Sequence, residues 1–162
     1  MSSDQIRARF IETGGHVTQS IGIGRVIGQI FAHVYLSPEP QTLDDMVAAL
    51  GISKGSASMS VRQLLQWGAL QPVWIKGERK DYFEASEDFP QLVRRALLDL
   101  IGRRMQVADN LLIDTEQWLA ESGNGAESAD LKFIHRRVKK LRVFRDRAQA
   151  IWDHSLVRLL RK

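Results

Sequence analysis

The chain of 162 residues contains no cysteine, which excludes disulfides, thiolate zinc sites, iron–sulfur clusters and a cysteine nucleophile. It also lacks any apolar run near the roughly 20 residues that a membrane helix needs. The first ten residues lack the charged and then apolar pattern of a signal peptide. No two of the four histidines have the spacing of a zinc-binding H-E-x-x-H helix. We therefore expect a cytoplasmic protein with no membrane segment and no metal site.

Motifs that would indicate an enzyme are missing as well. Gly22, Gly24 and Gly28 form G-x-G-x-x-x-G, which differs from the dinucleotide-binding G-x-G-x-x-G and follows no predicted strand. The segment Gly51–Ser56 has the order Lys-Gly-Ser where a phosphate-binding loop has Gly-Lys-Ser. The sequence contains no G-x-S-x-G, and no histidine is placed obviously to activate a serine. These observations predict a protein that is not an enzyme and holds no cofactor.

Charge is distributed unevenly along the chain, whose net charge is +4. Residues 131–162 carry 11 Lys and Arg against 2 Asp and Glu, a net charge of +9, so the first 130 residues carry −5. A basic segment of this kind can contact nucleic acid, or it can lie against an acidic helix of the same molecule or of a partner subunit. The sequence favours the two interpretations about equally.

Hydrophobic periodicity predicts helices over most of the chain. A short helix is expected over Asp4–Thr13, stopped by Gly14 and Gly15, which favour a turn. A second helix is expected over Thr18–Leu36, and the prolines that follow it end it. Small residues recur at every fourth position inside this second helix, so another helix can approach closely there. They are Gly24, Gly28 and Ala32.

Two short helices and a hairpin are predicted next. The first helix is capped by Thr42 and ended by Gly51, and the second is capped by Ser53 and ended by Gly68. Two short helices joined by a tight glycine turn form a helix-turn-helix. Two β-prone runs then flank Lys76–Arg79, which is typical of a hairpin with a glycine turn.

The rest of the chain is predicted to be helical. We expect a long helix from Ser86 to Ser122, a loop over Gly123–Ser128, and a last helix with a heptad-like apolar seam that Arg145 interrupts. Their apolar stripes need each other or a second subunit. The predicted fold is mainly α, a winged helix-turn-helix with one β-hairpin wing plus long C-terminal dimerisation helices. Residues 1–86 form its DNA-binding domain and residues 87–162 a helical dimerisation arm.

The helix from Ser53 to Trp67, here called the reader helix, can enter the major groove of DNA with its N-terminal end. The hairpin tip, here called the wing, can follow the neighbouring phosphates or the minor groove. The candidate DNA-binding residues are Ser53, Lys54, Ser56, Ser58, Met59, Arg62, Gln63, Lys76, Arg79 and Lys80. Residues 39–88 carry a net charge of −3, but we expect their acids to lie away from the reader helix, with only Glu78 at the wing tip.

These motifs resemble the GbsR-like branch of the MarR-type winged-helix transcription regulators over roughly half of the chain, between Gly24 and Met105. The resemblance rests on the segments Tyr35–Pro40, Leu43–Asp45, Leu50–Met59, Trp67–Leu70 and Gly77–Ala85. It implies a dimeric prokaryotic repressor of transcription that binds double-stranded DNA through the reader helix and the wing.

Family members also include sensors of choline-type compounds, and an aromatic cage holds such cations through cation–π attraction. The candidate cage residues are Tyr35, Trp74, Trp118 and Trp152, although aromatic residues at helical spacing are more often part of a core. Two alternatives to a plain DNA-binding regulator stay open. One is a regulator gated by a small organic cation such as choline, and the other is a winged-helix module that binds proteins and not DNA.

Overall fold

The computed structural model describes residues 2–122 and 128–160, with side chains in the last helix up to residue 151 and at His154. Its elements are α1 (Ser3–Ser20), α2 (Arg25–Tyr35), β1 (Gln41–Thr42), α3 (Leu43–Leu50), α4 (Lys54–Trp67), β2 (Leu70–Val73), β3 (Tyr82–Ala85), α5 (Phe89–Ser122) and α6 (Ala129–Leu160). The mainly α fold, with a winged helix and long C-terminal helices, is confirmed. The chain divides into two compact units, Met1–Ile101 and Gly102–Lys162. None of the helices in the described part of the chain could span a membrane.

The first unit is built around the helix-turn-helix and a small sheet. The strands pair antiparallel in the order β1-β3-β2. The sequence did not indicate β1, because two residues are too few for an alternating pattern. Ile30, Met46 and Leu70 are fully buried at the centre of the core, so helices α2 and α3 and strand β2 all contribute to one hydrophobic interior.

Helix α1 corrects the prediction at its glycines. The helix continues through Gly14 and Gly15 to Ser20 instead of stopping at Thr13. The tertiary contact explains the difference, because Gly14 and Gly28 face each other where α1 crosses α2. A Cβ atom built on Gly28 would lie 2.2 Å from the carbonyl oxygen of Gly14. The glycines therefore serve the helix crossing rather than a turn.

The second helix begins later than predicted. Gly22 and Gly24 have φ angles of 79° and 115°, which interrupt the helix expected from Thr18. The hydroxyl of Thr18 donates to the carbonyl oxygen of Gly24 over 2.8 Å, which ties the end of α1 to the start of α2. Of the predicted small-residue stripe, Gly28 and Ala32 lie at the crossing with α1, whereas Gly24 is the N-cap of α2.

The second unit contains the C-terminal part of α5 and α6. Leu112 and Val138 are buried there. The predicted interruption of the α6 seam has a partner, because the Arg145 guanidinium forms an ion pair with Asp109 of α5. The loop predicted over Gly123–Ser128 lies outside the described residues except for Ser128.

The first turns of α5 belong to the first unit, where Ala96 is buried in the core and Leu92 packs against it. The domain division at residues 86 and 87 stays a prediction.

Candidate nucleic-acid interface

The reader helix is α4, and local sequence signals determine both of its ends. The hydroxyl of Ser53 accepts a hydrogen bond from the amide of Ser56 over 3.2 Å, as an N-cap should. Gly51 and Gly68 adopt left-handed conformations, with φ angles of 62° and 72°, which glycine reaches without steric cost. The predicted helix-turn-helix geometry is therefore present.

The reader helix buries one face and exposes another. Ala57, Val61, Leu64 and Trp67 are buried in the core. The predicted contact residues lie on the other side, where Ser53, Lys54, Met59 and Arg62 are exposed and Ser56, Ser58 and Gln63 are half-buried. Met59 is 70% exposed, which is unusual for an apolar side chain next to a core-forming face.

Asp99 of α5 anchors the reader helix at its C-terminal end. The indole N–H of Trp67 donates to Asp99 Oδ2 over 3.0 Å, and the side-chain amide of Gln63 donates to the same oxygen over 3.3 Å. Gln63 therefore uses at least one of its donors inside the molecule. The sequence did not single out Asp99, since an acid in an amphipathic helix is usually solvated.

The wing presents its basic side chains to solvent. Gly77 has a φ angle of 89° at the turn, and the amide of Glu78 donates to the carbonyl of Ile75 over 3.2 Å. Lys76, Arg79 and Lys80 are exposed. Between the wing and the reader helix lies a groove of about 700 Å³. The basic side chains among its lining residues are Lys54, Arg62, Arg79 and Lys80, and the acidic ones are Asp44, Glu78 and Asp81.

Asp44 corrects the expectation that only Glu78 intrudes among the basic residues. Its carboxylate lies 2.9 Å from Lys54 Nζ at the start of the reader helix and 3.7 Å from Lys80 Nζ beyond the wing tip. The hydrogen bond from Lys54 lowers the pKa of Asp44 below its ordinary value. Asp44 alone is thus paired with two of the lysines, Lys54 and Lys80, that the sequence predicts to bind DNA.

The candidate cage residues of the first unit are not brought together. Tyr35 stacks on Phe31 with ring centroids 5.8 Å apart and meets Phe89 edge-on at 5.4 Å. Trp74 lines the groove between wing and reader helix, whereas Tyr35 lines a different cavity. Trp118 belongs to the second unit and is exposed, and the side chain of Trp152 lies outside the described residues.

Comparisons with known proteins agree with this geometry. No family model matches the chain. The chain is 31% identical over 86 residues to the HTH-type transcriptional repressor GbsR of Bacillus subtilis, covering 53% of this chain and 47% of GbsR. It is 29% identical over 72 residues to the repressor OpcR of the same organism, covering 44% and 39%. The chain thus spans about half the length, or less, of the curated relatives it matches.

A solved structure extends the comparison to nearly the whole chain. The crystal structure of a transcriptional regulator matches with a TM-score of 0.58 at 21% identity, covering 96% of this chain and 99% of that one. At this identity the match shows a shared fold. The sequence matches confirm the resemblance to GbsR-like regulators that the helix-turn-helix and wing motifs indicated.

Proposed function

We propose that this GbsR-like winged-helix chain is a dimeric, sequence-specific DNA-binding regulator that represses transcription by occupying a promoter, and that it has no catalytic role. Its relatives GbsR and OpcR are named as HTH-type transcriptional repressors, and we place the protein in the cytoplasm, with the DNA. The observation that carries the proposal is the groove in which the exposed face of the reader helix and the basic wing stand together.

The reader helix supplies the sequence-reading group. Arg62 is the only long side chain with a bidentate donor on the exposed face of α4, and a planar guanidinium can donate two hydrogen bonds to the edge of a guanine. Its Nε lies 3.4 Å from the carbonyl of Ser58, a weak contact that leaves the terminal nitrogens available. Base readout by Arg62 would give the protein its sequence preference.

A selection from random duplexes followed by variant binding tests this role. After the preferred site is identified, Arg62→Ala should lose about 1 to 3 kcal/mol of discrimination between that site and random DNA. Arg62→Lys is the matched control, because it keeps the charge but not the fork of donors. Equal weakening on both DNAs would show that Arg62 contacts only the backbone, and the failure to enrich any site would contradict the proposal.

The wing supplies backbone affinity. Replacing Lys76, Arg79 and Lys80 together by Ala should weaken binding to any duplex and flatten its salt dependence by about one unit of slope per lost phosphate contact. Replacing Lys132, Lys139 and Lys140 of α6 removes the same charge elsewhere. A loss of slope in this second variant would assign the basic last helix to DNA, and an unchanged slope in the wing variant would place the wing off the DNA.

Exposed apolar residues support the dimer. Among the residues of the second unit whose side chains the structure describes, ten large hydrophobic side chains are exposed in the single chain, far more than scattered surface residues explain. They are Val107, Leu111, Ile113, Trp118, Phe133, Ile134, Leu141, Val143, Phe144 and Ile151. Light scattering at micromolar concentration should give twice the 18.4 kDa of one chain. A monomer that still binds its site tightly would refute the dimer.

A ligand-gated sensor is the second candidate, and an apolar cavity in the first unit favours it. This cavity of about 450 Å³ lies among α1, α2, α4 and α5, and Phe31 and Trp67 contribute to its wall. A small molecule that enters it should raise the melting temperature and change the affinity for DNA. For the organic-cation version, the absence of any response to choline-like compounds at millimolar concentration would count against it.

A further inference from the structure

Trp74 is the most exposed large hydrophobic side chain among the described residues. Its exposed fraction is 81%, against 70% for Met59 on the reader helix. Tryptophan is usually well buried because its ring is the largest apolar surface that a side chain offers. An indole left open to water in one chain is therefore expected to be covered by something that this chain binds.

The place of Trp74 in the fold indicates what covers it. The residue follows β2 directly and precedes the wing turn, and its side chain lines the groove together with Arg62, Arg79 and Lys80. Trp74 thus lies where the two elements assigned to DNA face each other. Within the described part of the chain, no group accepts a hydrogen bond from its indole N–H, so this donor is available to a ligand.

The charged side chains around Trp74 indicate which kind of ligand the groove can bind. Four basic side chains line the groove, and one of the three acids there, Asp44, is paired with two of them. Four basic and three acidic side chains give this lining a net charge of +1, so the groove offers an organic cation no net attraction. A polyanion that also offers flat, weakly polar surfaces fits better, and the sugars and base edges of a duplex supply these beside the phosphates.

We propose that Trp74 is a DNA-contacting residue of the wing, whose indole packs on the sugar and base edges of duplex DNA beside the phosphates held by Arg79 and Lys80. This assignment rests on the proposed DNA-binding function. It transfers Trp74 from the predicted cation cage to the DNA interface. The contact is apolar, so it contributes affinity without releasing counterions.

The experiment uses the full chain and a labelled mixed-sequence duplex of about 30 base pairs, roughly three helical turns. Trp74→Ala should weaken binding by between about tenfold and about a hundredfold, the range expected for the burial of one large apolar side chain. The slope of affinity against salt should stay at the wild-type value, because no phosphate contact is lost. Trp74→Phe should recover most of the affinity. Ile6→Ala, which removes an exposed apolar side chain of α1, should bind as the wild type does.

A second readout follows the indole itself. Duplex DNA should quench the tryptophan emission of the wild-type chain, and Trp74→Phe should lose most of that quenching while still binding. Wild-type affinity of Trp74→Ala, in a series where the wing triple variant binds less well, would overturn the role of Trp74 and leave the proposed function standing. A reduced salt slope in Trp74→Ala would also overturn it. If the wild-type chain binds no duplex, the proposed function fails and this inference fails with it.

Discussion

Among the glycines whose surroundings the structure describes, Gly28 is the one where an added methyl group should lower the free energy of unfolding most. A Cβ atom there would lie 2.2 Å from the carbonyl oxygen of Gly14 and 2.3 Å from Thr18 Oγ1. The first of these atoms is backbone and cannot rotate away. The second belongs to a hydroxyl that hydrogen-bonds the carbonyls of Gly14 and Gly24. Gly28→Ala must therefore push α1 away from α2 and displace Thr18.

The expected destabilisation is about 1 to 3 kcal/mol. Overpacking of a close interior contact costs about 1 to 3 kcal/mol, and a displaced hydrogen bond adds about 1 kcal/mol. The higher helix propensity of Ala offsets about 1 kcal/mol of this loss in stability. For a chain of this size the net loss corresponds to a melting temperature lower by roughly 2 to 12 °C.

Urea unfolding of Gly28→Ala, Gly14→Ala and Gly55→Ala checks the reasoning. A Cβ on Gly14 would have its closest contacts at 3.1 Å and 3.2 Å, and a Cβ on Gly55 would meet nothing within 4 Å. The loss of stability should be largest at Gly28 and smaller at Gly14, and Gly55→Ala should be neutral or stabilised by up to about 1 kcal/mol. All variants are compared at one protein concentration, because dimerisation would shift the apparent stability. A Gly28→Ala protein as stable as Gly55→Ala would refute the close crossing.

Two further predictions concern ion pairs. Asp44→Asn should raise the affinity for any duplex and steepen its salt dependence by up to about two units, because Lys54 and Lys80 lose their internal anion; weaker binding would show instead that Asp44 holds the lysines in position. Arg145→Met should destabilise the fold, because it leaves the mostly buried Asp109 carboxylate without its partner. Adding Asp109→Leu should restore stability in urea, and a double variant less stable than Arg145→Met would contradict this.

The elements that depend on local signals could be predicted from the sequence. The caps at Thr42 and Ser53 and the glycines at 51, 68 and 77 act within a few residues, and the structure places each where the sequence indicated. The glycines of α1 could not be predicted in the same way. Gly14 and Gly15 carry the local signal of a turn, and only the approach of α2, with Gly28 opposite them, turns that signal into a helix crossing.

The candidate site follows the same division. The spacing of the apolar residues in the reader helix predicts which of its faces is buried. Lys54 and Arg62 could therefore be assigned to the exposed face from the sequence. The role of Asp99 could not be predicted, because its hydrogen bond with Trp67 joins residues on two different helices that are 32 positions apart in the sequence. Trp74 could not be assigned from the sequence for a different reason. Its residue type suits a cage and a DNA contact equally well, and the charges that separate the two come from other elements.

Asp44 lies among the basic side chains of the groove partly because of a strand pairing that the sequence did not indicate. Thr42 pairs with Tyr82 across the sheet and also caps α3, where its hydroxyl accepts from the amide of Asp45. One residue thus fixes the start of α3 against the base of the wing, and Asp44 follows two positions later. Its carboxylate then meets Lys54 from the reader helix and Lys80 from the wing. Since Lys80 lies two residues from the strand that Thr42 pairs with, a shift in this short strand would separate the acid from Lys80. The pairing of β1 with β3 thus helps to place an acid of α3 beside the basic side chains of the reader helix and the wing.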